Sequence, residues 1–188
     1  MLGVRTKPGG APTRGYRGDF VTTVTVRRAA DDDAADIADI YNDAVEHTTA
    51  TLDLVPRTIE QQRAWIAERS GAFTVVVAES VGQVVGFASL SAYKERAAYR
   101  GTVEDSVYVR RDAQGCGVGR MLLTAVLAHA EAAGFHVVMA RIEASGTPSR
   151  RLHEVCGFEL VGVEREVGRK FNRWLDVAVY QVLLPRRR

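Results

Sequence analysis

Two features of this chain have residue types and spacing that suit chemistry. The first is Gln114-Gly115-Cys116-Gly117-Val118-Gly119-Arg120. It stands between a β-prone run and a stretch with apolar residues at Leu122, Ala125, Val126, Ala130 and Ala133. Glycines let consecutive backbone N–H groups turn to one side, and a helix beginning there adds the positive end of its dipole. The combination suits a phosphate or pyrophosphate. It is not a P-loop, because Gly119 is followed by Arg120 and Met121 rather than by Lys and a hydroxyl residue. It is not a dinucleotide fingerprint either, because Leu122 stands where the third glycine belongs. A tight turn that only brings strand and helix together is the plainer alternative. The second feature is Val103–Val109. Strand alternation puts Glu104, Ser106 and Tyr108 on one face and Val103, Asp105, Val107 and Val109 on the other. The first face is polar enough to line a cleft, with Glu104 as a proton acceptor. A plain ion pair with a neighbouring Arg or Lys is the competing role for Glu104.

The bulk properties narrow the class. With 188 residues, 46% of them hydrophobic and 26% charged, the chain fits one soluble α/β domain. No run approaches the ~20 apolar residues of a membrane span, and no secretion-signal pattern is present, so no membrane partner and a cytoplasmic location are expected. Cys116 and Cys156 suit a reducing compartment and show no metal-ligand spacing with the four histidines, so no metal is expected. The net charge of +2 comes from the ends, where Arg5, Lys7, Arg14, Arg17 and Arg186 to Arg188 lie. Without them acidic residues outnumber basic ones, which argues against nucleic acid as a partner.

The elements that must position these residues are legible in outline. Residues 1–20 read as a flexible extension, 21–185 as the folded domain and 186–188 as a basic tail. Strands are expected at 21–28, 73–79, 84–91, 102–109, 136–142, 158–166 and 174–183. A helix capped by Asp31 to Asp33 would bury Ala34, Ile37, Ile40, Tyr41, Ala44 and Val45. Thr58-x-x-Gln61 is a capping box opening a second helix with Trp65 and Ile66. A third helix runs from the glycine loop to Gly134, and a short fourth occupies 149–156 before Gly157. Strand, loop, helix, strand across 102–142 is a right-handed parallel crossover.

This order, and the spacing Gln114-x-x-Gly117-x-Gly119, resemble the GNAT superfamily of acyl-CoA-dependent N-acyltransferases over about residues 22–184. Finer matches are similar to the phosphinothricin and methionine sulfoximine N-acetyltransferases. They are Ile40 to Val45 with Thr48 to Thr51, Tyr93 to Arg100, Val103 to Val109, Pro148 to Phe158, and Gly168 to Phe171 with Trp174 to Asp176. The resemblance implies a mixed, mostly antiparallel central sheet with splayed parallel fourth and fifth strands, flanked by helices. It implies acetyl-CoA as co-substrate, a homodimer, and acetylation of the α-amino group of a small amino-acid analogue. Two positions depart from the pattern. Gly146 stands where the family usually has Asn, and Gln114 stands in place of Arg.

On the family pattern the cofactor lies along Val107, Tyr108 and Val109, the loop Gln114, Gly115, Cys116, Gly117, Val118, Gly119 and Arg120, then Gly146 and Ser149. A backbone N–H on the 107–109 stretch polarises the thioester carbonyl, left free by a strand that splays after Val109. Glu104 is the expected base, and the resemblance assigns a catalytic role to His153. Arg96 and Arg100 are candidate clamps for an anionic substrate, Tyr99 is a wall beside them, and Lys170 closes the site or an interface. No nucleophile is matched, so direct attack is expected. Acetylation of another amine (a polyamine, an aminoglycoside or a peptide N-terminus) and a non-catalytic acyl-CoA-binding module stay open.

Overall fold

Seven strands form one sheet in the order β1-β2-β3-β4-β5-β7-β6. The structure is a computed structural model and describes residues 23–185. The expected extension at 1–20 and tail at 186–188 lie outside the described residues. In chain order the elements are β1 (Val24–Arg28), α1 (Ala34–His47), α2 (Ile59–Glu68), β2 (Val75–Ser80), β3 (Gln83–Ala92), β4 (Thr102–Val109), α3 (Val118–Ala132), β5 (Val137–Glu143), α4 (Thr147–Val155), β6 (Glu159–Lys170) and β7 (Arg173–Leu183). Only β4 and β5 pair in parallel; every other pairing is antiparallel.

Period-2 burial divides the sheet into two faces. Val76, Ala78, Val85, Ala88, Leu90, Val103, Val138 and Ala140 pack under α3 with its Val118, Leu122, Leu123 and Val126. Val75, Val77, Val84 and Phe87 pack under α1 through Ile37, Ile40, Tyr41 and Val45. The apolar stripe read on the first helix is buried throughout. Its start differs from the expected cap. Asp31–Asp33 form a 3₁₀ turn, and Asp33 makes no side-chain cap for α1. Its carboxylate instead accepts the Ala30 N–H at 2.7 Å and both Arg27 Nη groups at 2.7 and 2.8 Å. An arginine one strand away outcompetes the local helix N–H because its two donors are charged. The Thr58–Gln61 capping box forms as read.

Two features position the site. The parallel ladder is short, with Thr102, Val103 and Glu104 opposite Val137, Val138 and Met139, and it ends there. β4 continues against β3 as far as Val109 opposite Gly86. The seam between β4 and β5 therefore opens directly after Glu104, five residues before the splay expected after Val109. The second feature is the approach of α3 to α4. A Cβ on Gly119 would lie 3.1 Å from Leu152 Cδ2 and 3.7 Å from Val109 Cγ2. The glycine permits that contact, so the plain packing role holds for this position beside any role in binding.

Candidate active site

The glycine loop leaves β4 through a 3₁₀ turn at Arg111–Ala113 and enters α3 at Gly117. Gly117 has φ +86°, in the left-handed region that glycine enters without a Cβ penalty. No side chain caps α3, and its first turn holds no acidic residue but does hold Arg120. An uncapped helix start with unsatisfied N–H groups, a cation and no carboxylate fits a pyrophosphate. Gln114 does not face this loop: its Nε2 donates back to the Val109 carbonyl at 2.9 Å. Cys116 is exposed and unbridged. Gly146 begins α4, and an added Cβ would press the Glu143 carbonyl at 3.0 Å.

The open seam is a cleft of ≈ 260 Å³. Glu104, Asp105, Ser106, Val107 and Tyr108 line it from β4, and Ala140, Arg141 and Glu143 from β5. Tyr41 and the loop Thr49 to Leu52 close one side, with Ser149 and His153 of α4 on the other. Both faces of β4 reach this space because the strand has no partner on that edge. Alternate residues of an unpaired edge direct their N–H groups outward, so 105–109 offers backbone donors into the cleft.

Glu104 and His153 stand on opposite sides of the sheet and meet the cleft from both. Burial is the main reason that the Glu104 carboxyl titrates above its ordinary range, countered in part by the charge of Arg141. Its carboxylate has no hydrogen-bonding partner among the described residues. His153 is buried, and both ring nitrogens are engaged: Nδ1 lies 2.8 Å from the Ser149 carbonyl and Nε2 lies 3.1 Å from Asp105 Oδ2. Both partners are acceptors when Asp105 is ionised, so the ring satisfies them as an imidazolium, donating from each nitrogen. Burial opposes that charge, but the hydrogen bond and charge of Asp105, with help from Ser149, outweigh it and hold the pKa above the usual histidine value. In this arrangement His153 has no lone pair for an incoming proton. Asp105, 5% exposed, keeps Oδ1 buried without a partner.

Around the acceptor side, Glu143 accepts from Thr49 Oγ1 at 3.0 Å, Ser145 N at 3.0 Å and Ser145 Oγ at 2.6 Å. Burial pushes its pKa up, and those hydrogen bonds more than reverse the push. Tyr41 OH bridges Thr51 Oγ1 and Asp53, and its ring meets Tyr108 edge-on at 5.1 Å. Lys170 is buried with Nζ donating to the Thr51 carbonyl at 2.8 Å, and burial lowers its pKa. It braces the loop that closes the cleft and does not line the cleft itself. Arg96, Tyr99 and Arg100 are exposed on and around the 3₁₀ turn that precedes β4 and do not line this cleft. Among the described residues no group of three or more His, Cys, Asp or Glu is placed to hold a metal ion, and no helix is long and apolar enough to cross a membrane.

The profile of the acetyltransferase (GNAT) family matches residues 35–158. The chain belongs to the GNAT acetyltransferase family. Among curated relatives, an L-methionine sulfoximine/L-methionine sulfone acetyltransferase from Pseudomonas paraeruginosa is 40% identical over 164 residues, 86% of this chain and 95% of the relative. A phosphinothricin N-acetyltransferase from Alcaligenes faecalis is 42% identical over 159 residues, 84% of this chain and 81% of that one. The structure of yncA, a putative acetyltransferase from Salmonella typhimurium with its cofactor acetyl-CoA, superposes with TM-score 0.86 at 38% identity, covering 89% of this chain and 97% of the other. This GNAT chain is accordingly an N-acetyltransferase that uses acetyl-CoA.

Sequence reasoning missed Asp105, Arg141 and Glu143 in this GNAT cleft. Asp105 carried a signal, being the one charge on an otherwise apolar strand face, and a buried charge demands a partner. Arg141 and Glu143 carried none, because their importance follows from where β4 and β5 part.

Proposed function

We propose that this acetyltransferase acts on the α-amino group of a small amino-acid analogue of the methionine sulfone, methionine sulfoximine or phosphinothricin type, by direct attack and as a homodimer. The observation that supports it most is Glu104. A half-buried carboxylate with raised basicity and no hydrogen-bonding partner, on the wall of a cleft of ≈ 260 Å³, suits a base for a small ammonium.

Acetyl-CoA supplies the acetyl group as a thioester. Glu104 takes one proton from the acceptor ammonium, and the free amine attacks the thioester carbonyl. As the N–C bond forms and the C–S bond breaks, the second nitrogen proton passes to the departing thiolate, giving the amide and the free thiol of CoA. The N–H groups of Val107 and Val109, which alternation turns away from β3 on either side of Tyr108, polarise the carbonyl. The Gln114 to Arg120 backbone and the α3 start hold the pyrophosphate, with Gly146 and Ser149 beside the arm. His153 acts as a fixed cation, locked by Asp105, that favours departing negative charge. Arg96, Tyr99 and Arg100 act at the rim, next to Tyr93, whose ring meets Tyr99 at 5.7 Å.

The test is release of free thiol from acetyl-CoA across phosphinothricin, methionine sulfoximine, methionine sulfone, the standard amino acids and a polyamine. Turnover on the first three is expected, and Glu104→Gln lowers kcat by roughly 10²-fold or more. Turnover confined to the polyamine removes the acceptor class. Full activity of the Gln variant across pH removes the base.

A further inference from the structure

An amino acid brings its carboxylate within one carbon of the amine that must reach Glu104. Whatever cation receives that carboxylate must therefore stand beside Glu104, inside the cleft. Among the described residues lining the cleft, Arg141 is the only Lys or Arg. Glu104, Asp105 and Glu143 are all carboxylic. His153 is the other cation on the wall, but both its ring nitrogens are taken by Ser149 and Asp105. Without Arg141 a substrate carboxylate would find no free cationic donor and would lose its hydration beside like charge.

Strand register puts Arg141 in the right place. Glu104 pairs with Met139, the last rung of the parallel ladder. Met139 and Arg141 share a strand face, so Arg141 is the next side chain on the Glu104 side, about 7 Å further along β5, where the seam has opened. Its charge interacts with Glu104 and with Tyr93 of the loop that bears Arg96 and Arg100. It is held from behind by Glu164 of β6, with Nη1 3.0 Å from Oε1 and Nη2 2.5 Å from Oε2. That end-on fork uses one edge of the guanidinium. The other edge, carrying Nε–H, donates no hydrogen bond among the described residues, and a planar guanidinium can hold one carboxylate on each edge. The side chain is 34% exposed, enough for a ligand to approach it.

We propose that Arg141 receives the α-carboxylate of the acceptor on its free edge while Glu164 keeps it in position, so that this pair sets the preference for amino acids over simple amines. The proposal rests on the amino-acid reading of the acceptor.

The experiment compares L-methionine sulfone with its decarboxylated counterpart, 3-(methylsulfonyl)propan-1-amine, at saturating acetyl-CoA. Wild type is expected to show a KM at least ~10-fold lower for the amino acid, since a bidentate charged contact is involved. Arg141→Gln abolishes that advantage: KM for the sulfone rises ~10-fold or more, while KM for the amine and for acetyl-CoA stays put. Arg141→Lys, which keeps the charge and loses the fork, falls between and serves should the Gln variant melt early. Calorimetric titration of methionine sulfone into the CoA-saturated protein shows the same loss in Kd without any turnover. An equal rise in KM for both acceptors, or no rise for the amino acid, overturns the proposal and leaves the function standing. Wild type that acetylates neither acceptor overturns the function, and the role of Arg141 with it.

Discussion

At residue scale the site separates two protonation problems. Glu104 is desolvated and unpaired, so its charge is costly and its basicity high. His153 is buried more deeply, yet Asp105 and Ser149 stabilise its charge. The linkage sign follows from the direction of the shift. A histidine whose folded pKa is raised contributes stability that is complete below its unfolded value of about 6.5 and is lost as pH rises through the folded value. Asp105→Asn keeps the shape and removes the charge. It is expected to lower the His153 titration seen in ring-proton NMR and to cost about 2 kcal/mol of stability at pH 6, and less at higher pH. An unmoved titration would mean that Asp105 does not hold the imidazolium. Alternation put Glu104 on the polar face of its strand, and family likeness singled it out as the base. His153 rested on family likeness, and its lock was hidden because Asp105 lies 48 positions away in sequence.

At element scale the strands and helices follow from local pattern, and their ends from neighbours. β4 spans the residues read for it, because β-branched alternation and the flanking glycines agree. β6 runs four residues beyond the expected Glu166, to Lys170, because its hairpin closes through Phe171 and Asn172, both with positive φ, and pairs Lys170 with Arg173. Where β4 and β5 part was not legible, since no residue type marks the last rung of a parallel ladder. For the glycine loop the sequence offered both a phosphate cradle and a tight packing turn; the packing is seen at Gly119, but its partner, Leu152 of α4, was not legible. Gly119→Val drives a branched side chain onto Leu152. It is expected to cost about 1–3 kcal/mol in thermal unfolding and to weaken CoA binding in calorimetry. Unchanged melting and affinity together would show that α3 and α4 give way freely.

At the scale of the molecule, the sheet ends in a hairpin that is unusually apolar on its outside. Val161, Val163 and Val167 of β6, Phe171 at the turn and Trp174 of β7 are all exposed. A patch of this kind on one sheet edge suits a second copy of the chain and supports the homodimer that the family resemblance implies. Trp174→Glu is expected to shift sedimentation from dimer toward monomer. A wild type that sediments as a monomer would end that assignment. The sequence could name these residues apolar but not exposed, because exposure depends on β6 being the last strand of the sheet.

The missing side chain at Gly119 has a consequence for how such a chain can change over time. The same hydrogen atom admits the α3 start to its place and lets Leu152 of α4 lie against it, one residue before His153. A substitution that alters the grip on the nucleotide end through this position also moves the helix that carries the histidine. The two halves of the reaction therefore cannot drift apart here: a lineage that retunes one inherits a change in the other.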